Sequence, residues 1–383
     1  MARPRPPPGL LLAALLAAGC SDGPGAAAAY PWDLPSGFPP PPVPEDNPMN
    51  EAKVELGRRL FHDRRLSGNE TQSCASCHEQ RRAFTDGRAR AVGSTGESHR
   101  RNSMGLANTA YLPALTWANP ILDRLEEQAL VPIFGEVPVE LGMAGREGEL
   151  VARLAADDRY RALFPEAFPG EAEPISVANV ARALAAFERT LISGRAPYDR
   201  FLAGDAEALS SSARRGLELF FSEELECHHC HGGFNFTGAV VWEGKAPEHL
   251  FANTGLYDVD GAGSYPAEDK GLFELTLAPE DMGAFRTPSL RNVEVTGPYM
   301  HDGSVDTLEA VIDEHYARGG RLVPDGPNAG DGRGNRFKSA LVSGFTLTTE
   351  ERDDLIAFLR SLTDREFLED PRFADPFAGD GGP

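Results

Sequence analysis

The chain has 383 residues, 41% of them hydrophobic, which is enough for real cores and, once the two ends are set aside, for two domains of ordinary size. Its net charge of −21 argues against nucleic acid and against anionic membrane surfaces as partners. A basic partner protein or small neutral substrates suit that charge better, and keeping the protein soluble accounts for it equally well.

At the N-terminus, Arg3 and Arg5 precede the apolar run Leu10–Ala18, which closes on Gly19-Cys20. This reads as a signal peptide over residues 1–20 with a lipoprotein-type cleavage site, so that Cys20 becomes the lipidated first residue of a periplasmic or outer-membrane-anchored lipoprotein. An ordinary signal peptide cut near Ala26–Ala29 is the alternative. The run is too short to span a bilayer, so membrane contact is expected only through the lipid. Residues 21–48 are rich in Pro, Gly and Ala and read as an extended, poorly packed tether.

The next elements come in two similar sets. Glu55–Phe61 is a short amphipathic helix with Leu56, Leu60 and Phe61 on one face, and it leads into Cys74-Ala75-Ser76-Cys77-His78. Arg215–Phe221, with Leu217, Phe220 and Phe221 on one face, leads into Cys227-His228-His229-Cys230-His231. Each set ends in a stronger helix: Val177–Leu191, and Thr348–Leu362 with a Thr/Glu start. Two cysteines spaced to form thioethers, followed at once by an axial histidine, make the attachment site of c-type haem. A lone Cys-x-x-Cys would also suit zinc or a redox dithiol. Two boxes, each followed by His, favour two covalently bound haem c groups, and no cysteine remains for a disulfide.

A helix, a haem box, loops and a closing helix follow the logic of a cytochrome c domain. The expected fold is mainly α: two tandem cytochrome c-like domains, 49–205 and 206–370, each with one covalent haem and long loops, then a disordered tail at 371–383.

Further motifs are Leu56-Gly57-Arg58-Arg59-Leu60-Phe61, Phe84–Arg88, Arg101-Asn102-Ser103, Ala186–Leu191, Phe285–Asn292 and Thr296–Gly303. With the boxes they resemble the bacterial di-haem cytochrome c peroxidase and MauG superfamily over about residues 50–365. Leu115–Pro120, Gln128–Pro132 and Phe134–Glu140 resemble in particular the MbnH-like enzymes, found beside methanobactin and copper-handling genes and acting on a small partner protein.

The resemblance implies a peroxidatic first haem held by Cys74, Cys77 and His78. Its distal side would carry Gln128, Pro132 and an acid matching Glu140, with Glu136 as the alternative because the spacing from Gln128 is longer than the family's. A peroxidase pocket needs a general acid/base that moves a peroxide proton between oxygens, and a desolvated Glu suits that work. Trp117 would relay electrons between the haems. Asn102, Thr296 and Pro298 would hold a Ca²⁺.

The second haem would be held by Cys227, Cys230 and His231. Cytochrome c peroxidases place a Met ligand on the helix after the His-Asp-Gly turn, and no methionine follows Met300 here. Leu308, Val311, Ile312 and His315 share an α-helical face, which favours His315 as the distal ligand; Tyr316 would match the tyrosinate of MauG.

The implied function is therefore use of hydrogen peroxide to form a high-valent di-haem state that oxidises a Trp or Tyr on a small exported, copper-binding partner. A cytochrome c peroxidase drawing electrons from a small cytochrome or cupredoxin is the second reading, and a non-catalytic di-haem carrier the third. His99 lies closer to Arg101-Asn102 than a distal histidine of the family would. His228 and His229 read as fillers of the second box.

Overall fold

In the computed structural model, residues 30–378 are described. The signal peptide, Cys20, the first part of the expected tether and residues 379–383 lie outside them. The chain from Trp32 onward forms one unit.

Four helices carry the frame of this unit: α1 (Glu51–His62), α2 (Val177–Arg189), α3 (Ser211–Phe220) and α4 (Thr349–Arg360). Each starts where a short polar side chain takes up an orphaned backbone N–H. Asn50, Ser176 and Ser210 accept from Lys53, Asn179 and Ala213, while Thr348 and Glu351 cap α4 reciprocally. Sheet among the described residues is confined to three two-stranded antiparallel pairs: Val240–Trp242 with Lys245–Glu248, Phe251–Ala252 with Phe285–Arg286, and Leu322–Val323 with Gly330–Asp331.

The duplicated pattern in the sequence is matched by duplicated packing. α1 crosses α2 at Gly57, where an added methyl would overlap the Ala183 carbonyl and lie 2.8 Å from Phe187 Cβ. α3 crosses α4 at Gly216, where it would overlap the Asp354 carbonyl and lie 2.9 Å from Phe358 Cβ. Around the first crossing Leu56, Leu60, Phe61, Phe84, Leu184 and Phe187 form one core. Around the second Phe220, Phe236, Ile312, Leu355, Phe358 and Leu359 form another. Overpacking of this kind costs roughly 1–3 kcal/mol. Gly57→Ala and Gly216→Ala should each lower the urea midpoint accordingly, whereas Gly148→Ala, where a methyl meets open space, should not.

Two expectations fail here. The segment from Trp32 to Pro48 is not a loose tether. Phe38 packs edge-on against Phe234 at 4.8 Å, Tyr111 donates to the Pro39 carbonyl at 2.8 Å, and Asn47 is 1% exposed while donating to Glu126. The stretch after Pro371 is ordered as far as it is described, with Phe373 4% and Phe377 8% exposed. Phe373 and Phe367 join Phe84 and Phe187 in the first core, so the segment around Pro371 packs against the first half of the chain. In both cases aromatic side chains find partners far away in sequence and outweigh the local Pro/Gly composition. Among the described residues no helix is long and apolar enough to cross a membrane.

Candidate active site

The two boxes are built alike. The first opens with a helical turn, Cys74–Ser76, in which Ser73 N–H donates to Ser76 Oγ at 3.0 Å. The second is the short helix Cys227–His231. All four box cysteines are free thiols. Burial, with neighbouring acidic groups, pushes Cys77 and Cys227 up to about 12 and raises Cys74 as well, and burial raises Cys230. Activated redox dithiols show the reverse. Each box histidine has Nδ1 held by a backbone carbonyl: His78 by Phe84 at 2.7 Å and His231 by Phe236 at 3.2 Å. That fixes the tautomer and leaves Nε2 as the donor to a metal. Burial keeps both rings neutral, with His231 lowered to about 4.

Over the first box the chain folds back on itself. The helix Leu130–Phe134 presents the carbonyls of Pro132 and Ile133 to the N–H groups of Leu141 and Met143 at 2.9 and 3.0 Å, which brings Glu140 beside Pro132. Burial pushes the Glu140 carboxyl up to about 7. Its charge in turn contributes to raising both Cys74 and Cys77, so it faces the box. Glu136, by contrast, is exposed on the tip of the same loop. Gln128 closes the helix Leu125–Gln128 and is half-buried.

His99 is a partner that sequence spacing sets aside. Its Nε2 lies 3.9 Å from Glu140 Oε1, and its side chain is 18% exposed. An antiparallel bridge between Val92 and Ser98 folds the loop so that His99 reaches forward. Burial lowers its pKa, so a neutral imidazole stands beside a carboxyl that titrates near neutrality.

The second box opens onto a cavity that Cys227, Cys230 and His231 line together with Trp117, Arg286 and Tyr316. Asn102, Thr296 and Pro298 also border it. Trp117 is tied back to the first box: its Nε1 donates to the Asn102 carbonyl at 2.9 Å, and the next residue, Ser103, donates from Oγ to the Cys77 carbonyl at 2.8 Å. Asn102 Nδ2 donates to the Arg88 carbonyl at 2.7 Å, so Oδ1 is the atom that side chain can offer a cation.

The two candidates for the distal ligand of the second haem fall on different sides of their helix. The segment Val311–Tyr316 is π-helical, with Ala317 N–H donating to Ile312 and Gly320 N–H to His315. The wider turn moves the face by one residue relative to an α-helix. Tyr316, not His315, lines the cavity with the box. Burial, with Cys230 and Cys227 nearby, raises its phenol well above the usual range. His315 is fully buried on another side and lowered to about 3 by burial with Arg321 and Lys338; neither ring nitrogen has a hydrogen-bond partner among the described residues.

A model of the family described as di-haem cytochrome c peroxidase matches residues 51–207. Cytochrome-c peroxidase IdrP1 of Denitromonas iodatirespirans is 36% identical over 380 residues, covering 94% of this chain and 95% of the relative. Methylamine utilization protein MauG of Methylorubrum extorquens is 37% identical over 321 residues, covering 84% and 81%. The chain belongs to the di-haem cytochrome c peroxidase and MauG family. A solved structure, described as a MauG-like protein associated with microbial copper homeostasis, is similar with a TM-score of 0.89 at 52% identity, covering 91% of this chain and 100% of that one.

As a member of the di-haem peroxidase and MauG family, the protein is an oxidoreductase with two c-type haems, and its residues fit that group. Four free thiols and two oriented histidines supply the attachments. Arg286 adds an independent sign: its guanidinium is 3% exposed, burial lowers it to about 10, and no carboxylate pairs with it among the described residues. A buried cation facing the cavity without a counter-ion suits a cofactor that carries carboxylates.

Proposed function

We propose that this protein uses hydrogen peroxide to oxidise a Trp or Tyr side chain on a small exported partner protein, with electrons passing through the enzyme. The balance is simple: peroxide takes two electrons and two protons to give two waters, and the partner side chain supplies both. When bound, the haems supply the iron centres at which peroxide is reduced and oxidising equivalents are held. The chain's own residues do the rest. Glu140, with His99 beside it, moves the peroxide proton; Trp117 links the two sites; Tyr316 and His231 would hold the second haem.

The observation that carries this reading is Tyr316 in the second cavity where a cytochrome c peroxidase would need a methionine. A phenolate is a stronger donor than a thioether and disfavours the reduced state. The second site then collects electrons poorly from small cytochromes and retains an oxidising equivalent well. The similarity to MauG and to the MauG-like copper-associated protein supports this, and suggests a copper-handling partner. The similarity to named cytochrome c peroxidases supports the alternative, peroxide reduction with cytochrome or cupredoxin electrons.

The same reading includes two cytochrome c-like halves at about 49–205 and 206–370, a Ca²⁺ held by Asn102, Thr296 and Pro298, and export with a lipid on Cys20. Incubating holoenzyme, peroxide and proteins exported by the same cell, followed by mass spectrometry, should reveal one partner with an oxidised Trp or Tyr. Fast turnover with reduced cytochrome c and no modified protein would overturn it. Trp117→Phe should leave peroxide consumption at the first site largely intact while slowing partner oxidation, as read by stopped-flow absorbance beside that assay.

A further inference from the structure

We propose that the second box also forms a surface site for one divalent transition-metal ion, held by Glu223, His228 and His229. The two histidines occupy the positions between Cys227 and Cys230, where haem attachment makes no demand on residue type. In the structure the ligand-capable atoms of these three residues all lie within 4.8 Å of one another. His228 Nε2 is 3.7 Å from Glu223 Oε1, and His229 Nε2 is 3.5 Å from Glu223 Oε2. Those separations are long for hydrogen bonds. They suit donors held at about 2.0–2.2 Å around a tetrahedral ion, which stand roughly 3.3–3.6 Å apart.

A fourth group adjoins them. Glu226 Oε2 lies 2.8 Å from His229 Nε2, so a second carboxylate stands within reach of the same ion. The scaffold is stiff: the histidines sit on the helix Cys227–His231, pinned at both cysteines once haem is attached, with ring centroids 4.2 Å apart. Glu223 is 81% exposed, so an ion could exchange with solution. The protein's net charge of −21 draws cations towards it.

Two imidazoles and a carboxylate define the ligand class. The set suits Zn(II), Cu(II) or Ni(II), and neither the all-oxygen preference of Ca²⁺ and Mg²⁺ nor the thiolate preference of Cu(I).

The test uses chelator-stripped holoprotein with both haems attached and no polyhistidine tag. Calorimetric titration with Zn(II) should give one equivalent bound. Electron paramagnetic resonance of one added equivalent of Cu(II) should show coupling to two imidazole nitrogens. His228→Asn, His229→Asn and Glu223→Gln should each weaken Zn(II) binding by at least about tenfold, and His249→Asn should leave it unchanged. Should a box variant fail to incorporate haem, Glu223→Gln, which lies outside the box, carries the test. Absence of stoichiometric binding, or an affinity unchanged in Glu223→Gln or in the double histidine variant, would overturn the site.

Discussion

Tyr316→Met is expected to abolish the long-lived oxidised state that wild type forms with peroxide, and to turn the enzyme towards cytochrome-dependent turnover. The phenol is the side chain that the π-helical segment turns into the second cavity. Replacing it with a thioether should move the potential of the second haem upward by a sizeable part of the roughly 0.8 V that axial ligands command. Spectroelectrochemistry of the variant reads that shift directly. His315→Ala is the control. If Tyr316 holds the second haem, removing the neighbouring imidazole leaves the absorption and magnetic spectra of that haem unchanged. A spectrum lost in His315→Ala and kept in Tyr316→Met would reverse the assignment.

Glu140→Gln is expected to slow the reaction with peroxide by ~10²–10⁴-fold, the usual contribution of a positioned acid/base. The amide keeps the shape of the side chain and cannot take up the proton. The pH dependence follows from the carboxyl raised to about 7. Its proton-accepting form is populated above that pH, so the wild-type rate should rise as pH increases through about 7, and the Gln variant should lose that step. Stability carries the opposite sign. Because the folded carboxyl binds its proton more tightly than the ordinary value of 4.5, folding loses stability as pH rises from about 4.5 towards 7. Glu140→Gln should remove that component, as read by denaturant midpoints across this range. Since the side chain is 33% exposed, the component is modest.

The parts legible in the sequence are those fixed by chemistry or by regular spacing. The two boxes must have their cysteines and histidines at fixed intervals, and the helix caps at Ser176 and Thr348 are local events, so both are readable. Glu140 emerges from its motif, and its apolar loop foretells the burial that raises it. Three features are not readable, each for a physical reason. A π-helical turn leaves no periodic signature, so the α-helical spacing of Leu308, Val311 and Ile312 points to His315, whereas the residue that borders the second cavity is Tyr316. His99 reaches Glu140 only because the Val92–Ser98 bridge folds its loop, a contact between non-local backbones. The packing of Phe38 and Phe373 depends on aromatic partners far away in sequence, Phe234 for one and Phe84 and Phe187 for the other.

Under the proposed function the enzyme keeps both oxidising equivalents of peroxide for use on a protein. Adding one equivalent of hydrogen peroxide to the resting diferric holoprotein, with no reductant present, tests it most directly. The protein should give a two-equivalent oxidised form that appears without prior reduction, persists long enough to be characterised by absorption and Mössbauer spectra, and is discharged by the partner. No reaction until one haem has been reduced, followed by rapid turnover with reduced cytochrome c, would contradict it.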